Sequence, residues 1–144
     1  MILFVCSQGK LRSRTAELLC LFGGLYARCA GTDQDAEAPV SDAMLRQASL
    51  VVCMEKHHQT ALKEFQHYGT APCVLLGIPD EFDRMSHSLV RSLIYQVSFH
   101  DQAVAQAMER GYTLLSAQPG YREALGTKTP SVSTGNPAFS LLPQ

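Results

Sequence analysis

The residues best suited to chemistry lie in one stretch, Cys6-Ser7-Gln8-Gly9-Lys10-Leu11-Arg12-Ser13. A cysteine, five residues, an arginine and a serine have the spacing of an anion cradle. Five residues let the backbone curl until successive N–H groups point into one hollow. A helix starting at the end of the loop adds the positive potential of its amino end. Arg12 can then fork two donors onto two oxygens of a phosphate, and Cys6 lies beneath the phosphorus. Amides, helix end and guanidinium together favour thiolate over thiol, making Cys6 a nucleophile with the Ser13 hydroxyl as its donor. Ser7, Gln8, Gly9, Lys10, Leu11 and Arg12 form the predicted phosphate-binding loop. Gly9 suits the positive φ that such a tight loop needs. Lys10 is either a source of potential at the rim or a solvated lysine. Cys6 as an inert thiol ending a strand and Arg12 as a surface residue is the plainer alternative. The position of the pattern between a strand and a helix favours the cradle.

Breaking a phosphate monoester with a cysteine also needs an acid on the leaving oxygen, which can afterwards activate water. Ile78-Pro79-Asp80-Glu81-Phe82-Asp83 supplies candidates. Asp80 is the predicted acid and base, approached through the stiff Pro79, with Glu81 and Asp83 as fallbacks. Phe82, with Leu11, is the predicted wall for an aromatic leaving group. Five histidines remain, and no His/Asp/Glu set has metal-ligand spacing, so neither metal nor cofactor is expected. His57 and His58 are adjacent and would point apart on a helix. His58 falls on an apolar stripe and reads as a satisfied core-edge residue.

The elements that must position these groups follow from periodicity. Residues 2–5 read as a strand, 13–22 as a helix stopped by Gly23-Gly24, and 25–30 as a second strand. Residues 32–39 form a polar loop with Asp33, Asp35 and Glu37, and 42–48 a helical turn. Residues 50–54 form a third strand, and a helix follows with Met54, His58, Ala61, Leu62 and Phe65 on one face. Residues 73–76 form a fourth strand. One long helix over about 86–110 closes the unit. Strands alternating with helices imply a flavodoxin-like α/β fold, a four-stranded parallel sheet with helices on both faces. Such sheets bind ligands beyond the carboxyl ends of their strands, where the Cys6 and Asp80 loops both fall. After Gly111 the composition turns to Pro, Gly, Ser and Thr. The chain is therefore divided into a domain over 1–111 and an irregular C-terminal tail over 112–144.

The 144 residues, 46% hydrophobic, suit one domain with a real core. A net charge of -1 excludes a field strong enough to make nucleic acid or anionic membrane the main partner. No apolar run approaches the ~18 residues of a membrane helix, and no basic stretch precedes the first apolar segment as in a signal peptide. Cys6, Cys20, Cys29, Cys53 and Cys73 show no CxxC pairing. Free thiols in a cytoplasmic protein are expected, not a disulfide scaffold or zinc knuckle.

Val5-Cys6-Ser7-Gln8-Gly9-Lys10-Leu11-Arg12-Ser13, with Thr15-Ala16-Glu17, resembles the opening signature of the low-molecular-weight protein tyrosine phosphatases. Ala30-Gly31-Thr32, Met54-Glu55-Lys56 and Pro79-Asp80 with Phe82 resemble later segments of that family, in family order, over about residues 1–100. The resemblance is closest to a short bacterial branch. It implies a metal-free cytoplasmic phosphomonoesterase acting on phosphorylated protein or small aryl phosphates. Cys6 would be nucleophile, Arg12 transition-state clamp, Ser13 thiolate partner, and Asp80 acid and base. The chain departs from the family at Gly9, where Asn is usual. That Asn is ordinarily held by a Ser, here Cys29, and by a His from a stretch largely missing here. Leu11 stands where many members carry a second loop cysteine.

Two alternatives to a cysteine-dependent phosphatase remain. An arsenate reductase on the same fold would need two further relaying cysteines, and Cys53 and Cys73 lie in different elements with no close downstream pair. A non-catalytic phosphate-binding module would not need a thiolate.

Overall fold

A computed structural model of the chain describes residues 1–121. The first strand is β1 (Ile2–Cys6), followed by α1 (Arg12–Phe22), β2 (Ala27–Gly31), α2 (Asp42–Gln47) and β3 (Leu50–Cys53). Then come α3 (Lys56–Leu62), β4 (Cys73–Leu75), α4 (His87–Ser98) and α5 (Gln102–Ser116). The strands form one sheet in the order β2-β1-β3-β4, every pairing parallel. This is the expected flavodoxin-like α/β arrangement. Because β1 sits between β2 and β3 with both faces covered, every one of its residues is buried.

The two faces hold separate cores. Ile2, Phe4, Cys6, Val52 and Met54 point to the side covered by α1, α4 and α5. Leu3, Val5, Val51 and Cys53 point to the side covered by Leu45 of α2 and Leu62 of α3. The period of two along β1 therefore decides which face Cys6 serves.

Two sequence expectations about the C-terminal half change. The single helix over 86–110 is two helices, α4 and α5. Asp101 makes the break: its side chain accepts from the Val104 N–H at 3.1 Å, capping α5, a cap that the apolar periodicity hid. Gly111 does not end the folded segment but lies inside α5, which continues to Ser116. A Cβ at Gly111 would lie 1.9 Å from the Leu19 carbonyl oxygen, and one at Gly23 would lie 1.8 Å from the Ala107 carbonyl oxygen. These glycines let α1 and α5 touch backbone to backbone, and Arg110 donates to the Gly23 carbonyl across the same seam. The rest of the expected tail, residues 122–144, lies outside the described residues.

No helix among the described residues is long and apolar enough to cross a membrane.

Candidate active site

The loop between β1 and α1 curls at the carboxyl edge of the sheet, and its groups converge on one sulfur. Ser13 Oγ lies 2.9 Å from Cys6 Sγ, and the Gly9 N–H donates to the same sulfur at 3.3 Å. Cys6 and Ser13 are buried, and no side chain caps the start of α1, so its first amides lie at the loop. Gly9 has φ +71, as the sequence predicts for a tight anion loop.

The loop carbonyls are held on the outside. Cys6, Ser7 and Gln8 carbonyls accept from the backbone N–H groups of Thr32, Asp33 and Glu37 at 2.9, 2.9 and 3.2 Å. The Gln8 amide reaches Asp33 and Asp35 at 2.7 and 3.1 Å. The polar segment after β2 is thus a clamp on the loop. Its backbone atoms had no sequence signal; the acids that hold Gln8 were visible only as a polar run. Contact there is close: a Cβ at Gly9 would stand 2.8 Å from Gly31 N and 2.9 Å from Ala30 C. Cys29 turns its thiol to the Gly9 carbonyl at 3.4 Å. Glu17 accepts from the Cys29 N–H at 3.0 Å and bonds Arg14. Burial pushes the Cys29 and Cys20 thiols up, reinforced by the nearby Glu17 carboxylate, so both stay protonated.

Arg12 is the largest fully buried side chain among the described residues. Its Nη1 donates to the Glu55 carboxylate and to the Ile78 carbonyl, the latter at 2.8 Å. Both Nη1 hydrogens are then used, which leaves the Nε–Nη2 edge for bidentate binding of an anion. Asp80 lies beside that edge, Oδ1 3.9 Å from Nε, on an exposed loop. Thr15 ties this loop to α1: its hydroxyl donates to the Leu11 carbonyl and accepts from the Met85 N–H, at 2.8 and 3.2 Å. Leu11 and Phe82 are half-buried and pack on the same core. Ser7 is half-buried, and Lys10, Glu81 and Asp83 are exposed.

Glu55 and His58 carry roles that motif reading missed. The Arg12 guanidinium holds the Glu55 carboxyl below the usual carboxylate range. Glu55 also caps α3, and its own N–H donates to His58 Nδ1 at 2.9 Å. With Nδ1 accepting, the ring proton sits on Nε2 and donates to Ser7 Oγ at 3.0 Å. Burial, with the His57 and Arg12 charges, pushes His58 down to about 4, so the ring is neutral at pH 7. His58 is fully buried and satisfied, as its place on the apolar stripe suggests. His57 does not point away from it. The two rings lie 4.1 Å apart and both approach Ser7, because the first turn of α3 faces the loop. Acid spacing plus a histidine three residues on was the available signal for this pair.

Glu55, His57 and His58 also bring potential ligand atoms within 4.8 Å of one another. Glu55 is already paired with Arg12, and both His58 nitrogens are engaged as described. A cation there would compete with the arginine charge.

The other cysteines are reduced, but not all are apart. Cys53 and Cys73, in different elements and distant in sequence, meet across β3 and β4 with sulfurs 3.7 Å apart.

No protein-family model matches the chain. No curated protein matches it either. Solved structures do. Wzb of Vibrio vulnificus, in complex with benzylphosphonate, superposes with a TM-score of 0.51 at 19% identity, covering 78% of this chain and 97% of that one. A low molecular weight protein tyrosine phosphatase of T. tengcongensis gives 0.51 at 14% identity, covering 76% and 95%. The tyrosine phosphatase amsI of Erwinia amylovora gives 0.50 at 17% identity, covering 81% and 93%. At these identities the likeness is one of fold: the chain has the α/β architecture that these phosphatase structures share.

Proposed function

We propose that this chain is a cysteine-dependent phosphomonoester hydrolase, acting on phosphotyrosine-type aryl phosphates in a protein or a small molecule. The observation that carries the reading is the convergence on Cys6. A hydroxyl at 2.9 Å and a backbone N–H at 3.3 Å face the sulfur, at the amino end of a helix whose first residue is a buried arginine. An inert thiol ending a strand would not need donors on both sides.

In this reading the Cys6 thiolate attacks phosphorus as the bond to the leaving oxygen breaks. Asp80 gives that oxygen its proton. The Nε–Nη2 edge of Arg12 and the loop amides take the charge on the equatorial oxygens. Asp80 then removes a proton from water, which attacks the phosphocysteine, and the thiolate leaves with Ser13 as its donor. Phosphate is released and the enzyme is unchanged. Leu11 and Phe82 flank the leaving group, and Ser7, Gln8, Gly9 and Lys10 complete the cradle. No step requires a metal. We assign the activity to the domain of residues 1–111, with the remainder of α5 as its support, and place it in the cytoplasm, where the thiols stay reduced. Cys53 and Cys73 lie on the opposite face of the sheet from Cys6, which counts against a thiol relay for arsenate.

Steady-state hydrolysis of aryl phosphates tests this. Cys6→Ser is expected to lower kcat by more than roughly 10³-fold with the fold intact, since a hydroxyl is far harder to ionise than a thiol. Asp80→Ala should cost roughly 10²–10⁴-fold with poor leaving groups and much less with good ones. Substantial turnover by Cys6→Ser, or arsenate turnover requiring a second cysteine, would overturn the reading.

A further inference from the structure

Outside the Cys6 loop, the thiols of Cys53 and Cys73 form a second reactive cluster. Cys53 ends β3 and Cys73 begins β4; in register, Val51 stands beside Cys73 and Cys53 beside Leu75. An offset of two puts both side chains on one face, the face of Leu3, Val5 and Leu62. Their sulfurs are 3.7 Å apart, and the Gln59 amide donates to Cys73 Sγ at 3.7 Å. Cys53 is fully buried while Cys73 is partly open to solvent. The Cys53 thiol and the Gln59 amide stabilise charge on Cys73, lowering it to about 7, whereas Cys53 is raised. One accessible sulfur that ionises readily, backed by a protonated neighbour, is the arrangement of an attacking and a resolving thiol.

We propose that Cys53 and Cys73 are a redox dithiol, separate from Cys6, that closes to a disulfide on exposure to a low-molecular-weight disulfide such as oxidised glutathione. The Cys73 thiolate attacks one sulfur of that disulfide, whose S–S bond breaks and releases one thiolate. Cys53 then attacks Cys73 Sγ and expels the second. Two electrons pass from the dithiol to the oxidant, and the two thiol protons leave with the released thiolates.

Closing the pair from 3.7 Å to about 2.05 Å requires movement across the strand offset. The strand able to move is β4, a three-residue edge strand with one neighbour. Beyond β4 come Ile78, whose carbonyl holds Arg12, and Asp80; two residues beyond Cys53 comes Glu55, the other holder of Arg12. The disulfide therefore pulls on both anchors of the arginine. Its consequence for hydrolysis, a reversible loss, rests on the function proposed above.

The test uses the full chain, incubated with oxidised glutathione, alkylated, digested without reduction and mapped by mass spectrometry. A peptide pair joined through Cys53 and Cys73, lost on adding dithiothreitol, is expected in the wild type and equally in Cys6→Ser, so this result does not depend on hydrolysis. Cys53→Ala should stop at a glutathione adduct on Cys73, and Cys73→Ser should give neither product. Absence of the joined pair in folded wild type, or a link from either residue to Cys6 in its place, overturns the dithiol. In parallel, aryl phosphate hydrolysis by the oxidised wild type should fall roughly tenfold or more and recover with dithiothreitol, while Cys73→Ser keeps its rate. A joined pair with unchanged hydrolysis overturns the coupling to Arg12. No hydrolysis in any sample overturns the function instead and leaves the thiol result standing.

Discussion

The two flanks of the Cys6–Arg12 loop are held by different means. On the β2 side the loop is gripped mainly by backbone, with the Gln8 amide on Asp33 and Asp35 added at its rim. Its carbonyls bond the N–H groups of residues 32–37, and Gly9 lies against Gly31 with no room for another atom. On the β3 side it is gripped by side chains: Glu55 on Arg12, and His58 on Ser7. The close backbone contact on the β2 flank is loosened chiefly by adding atoms at Gly9. The side-chain flank can be loosened by conservative substitution or by protons. In the resemblance, an Asn with its own side-chain network supports the β2 flank. Here Gly9 packs its bare backbone on Ala30 and Gly31, beside the Cys29 thiol and the Gln8 amide.

Four experiments break or sharpen this contrast, beginning with the group on which the β3 flank converges. Arg12→Lys is expected to be nearly as damaging as Arg12→Ala, lowering kcat/KM by roughly 10³-fold. A lysine cannot satisfy Glu55 and the Ile78 carbonyl while presenting two donors to a phosphate. Near-normal kcat/KM in the lysine variant would show that a point charge suffices.

Gly9→Ala probes the other flank. A Cβ there meets backbone at 2.8 and 2.9 Å from a residue with φ +71. The strain of the left-handed backbone plus overpacking should cost about 2–4 kcal/mol, read by urea unfolding. Gly9→Asn sharpens the point. Asn tolerates positive φ better than Ala, so if φ alone mattered it would be the milder change. Equal damage from both is expected because the collision is at Cβ. A well-tolerated Asn would place the support of this flank elsewhere.

The β3 flank should respond to pH through His58. His58 is held near 4 in the folded chain against an ordinary 6.5. Between those values the unfolded chain binds the proton and the folded chain resists it, so stability falls as pH drops through that window. The loss reaches up to about 3 kcal/mol once pH is near 4. His58→Asn, which can still accept from the Glu55 N–H, should flatten that part of the stability–pH curve. An unchanged slope would mean that the ring is not held neutral.

The smallest effect is expected from Glu55→Gln. The amide keeps one acceptor for Arg12 but loses the charge, so kcat/KM should fall about 10-fold, with KM for an anionic substrate changed little. Because Arg12 depresses Glu55, the wild type should keep this pair ionised to lower pH than an ordinary glutamate. Equal pH–rate profiles for wild type and Glu55→Gln at the acid limb would remove Glu55 from its positioning role.

The sequence alone determined the four strands, their alternation with helices and the residues of the loop, because each is a local matter. Apolar runs mark buried parallel strands, and a Cys-to-Arg spacing within one turn of chain leaves few paths for the backbone. The glycine at position 9 announced its own positive φ. Glu55, His58 and Cys29 were readable as residues but not as partners, since Cys29, Glu55 and His58 lie 20, 43 and 51 positions from Gly9, Arg12 and Ser7 and meet them only through sheet order. Cys53 and Cys73 likewise became neighbours only when β4 took its place beside β3. Gly111 shows the converse: its composition looked like a terminus, and only the packing of α5 on α1 gave it a purpose. What the tertiary structure decided is which distant groups share a face, because pairing across parallel strands is set by crossover connections and core packing, and no local spacing encodes it.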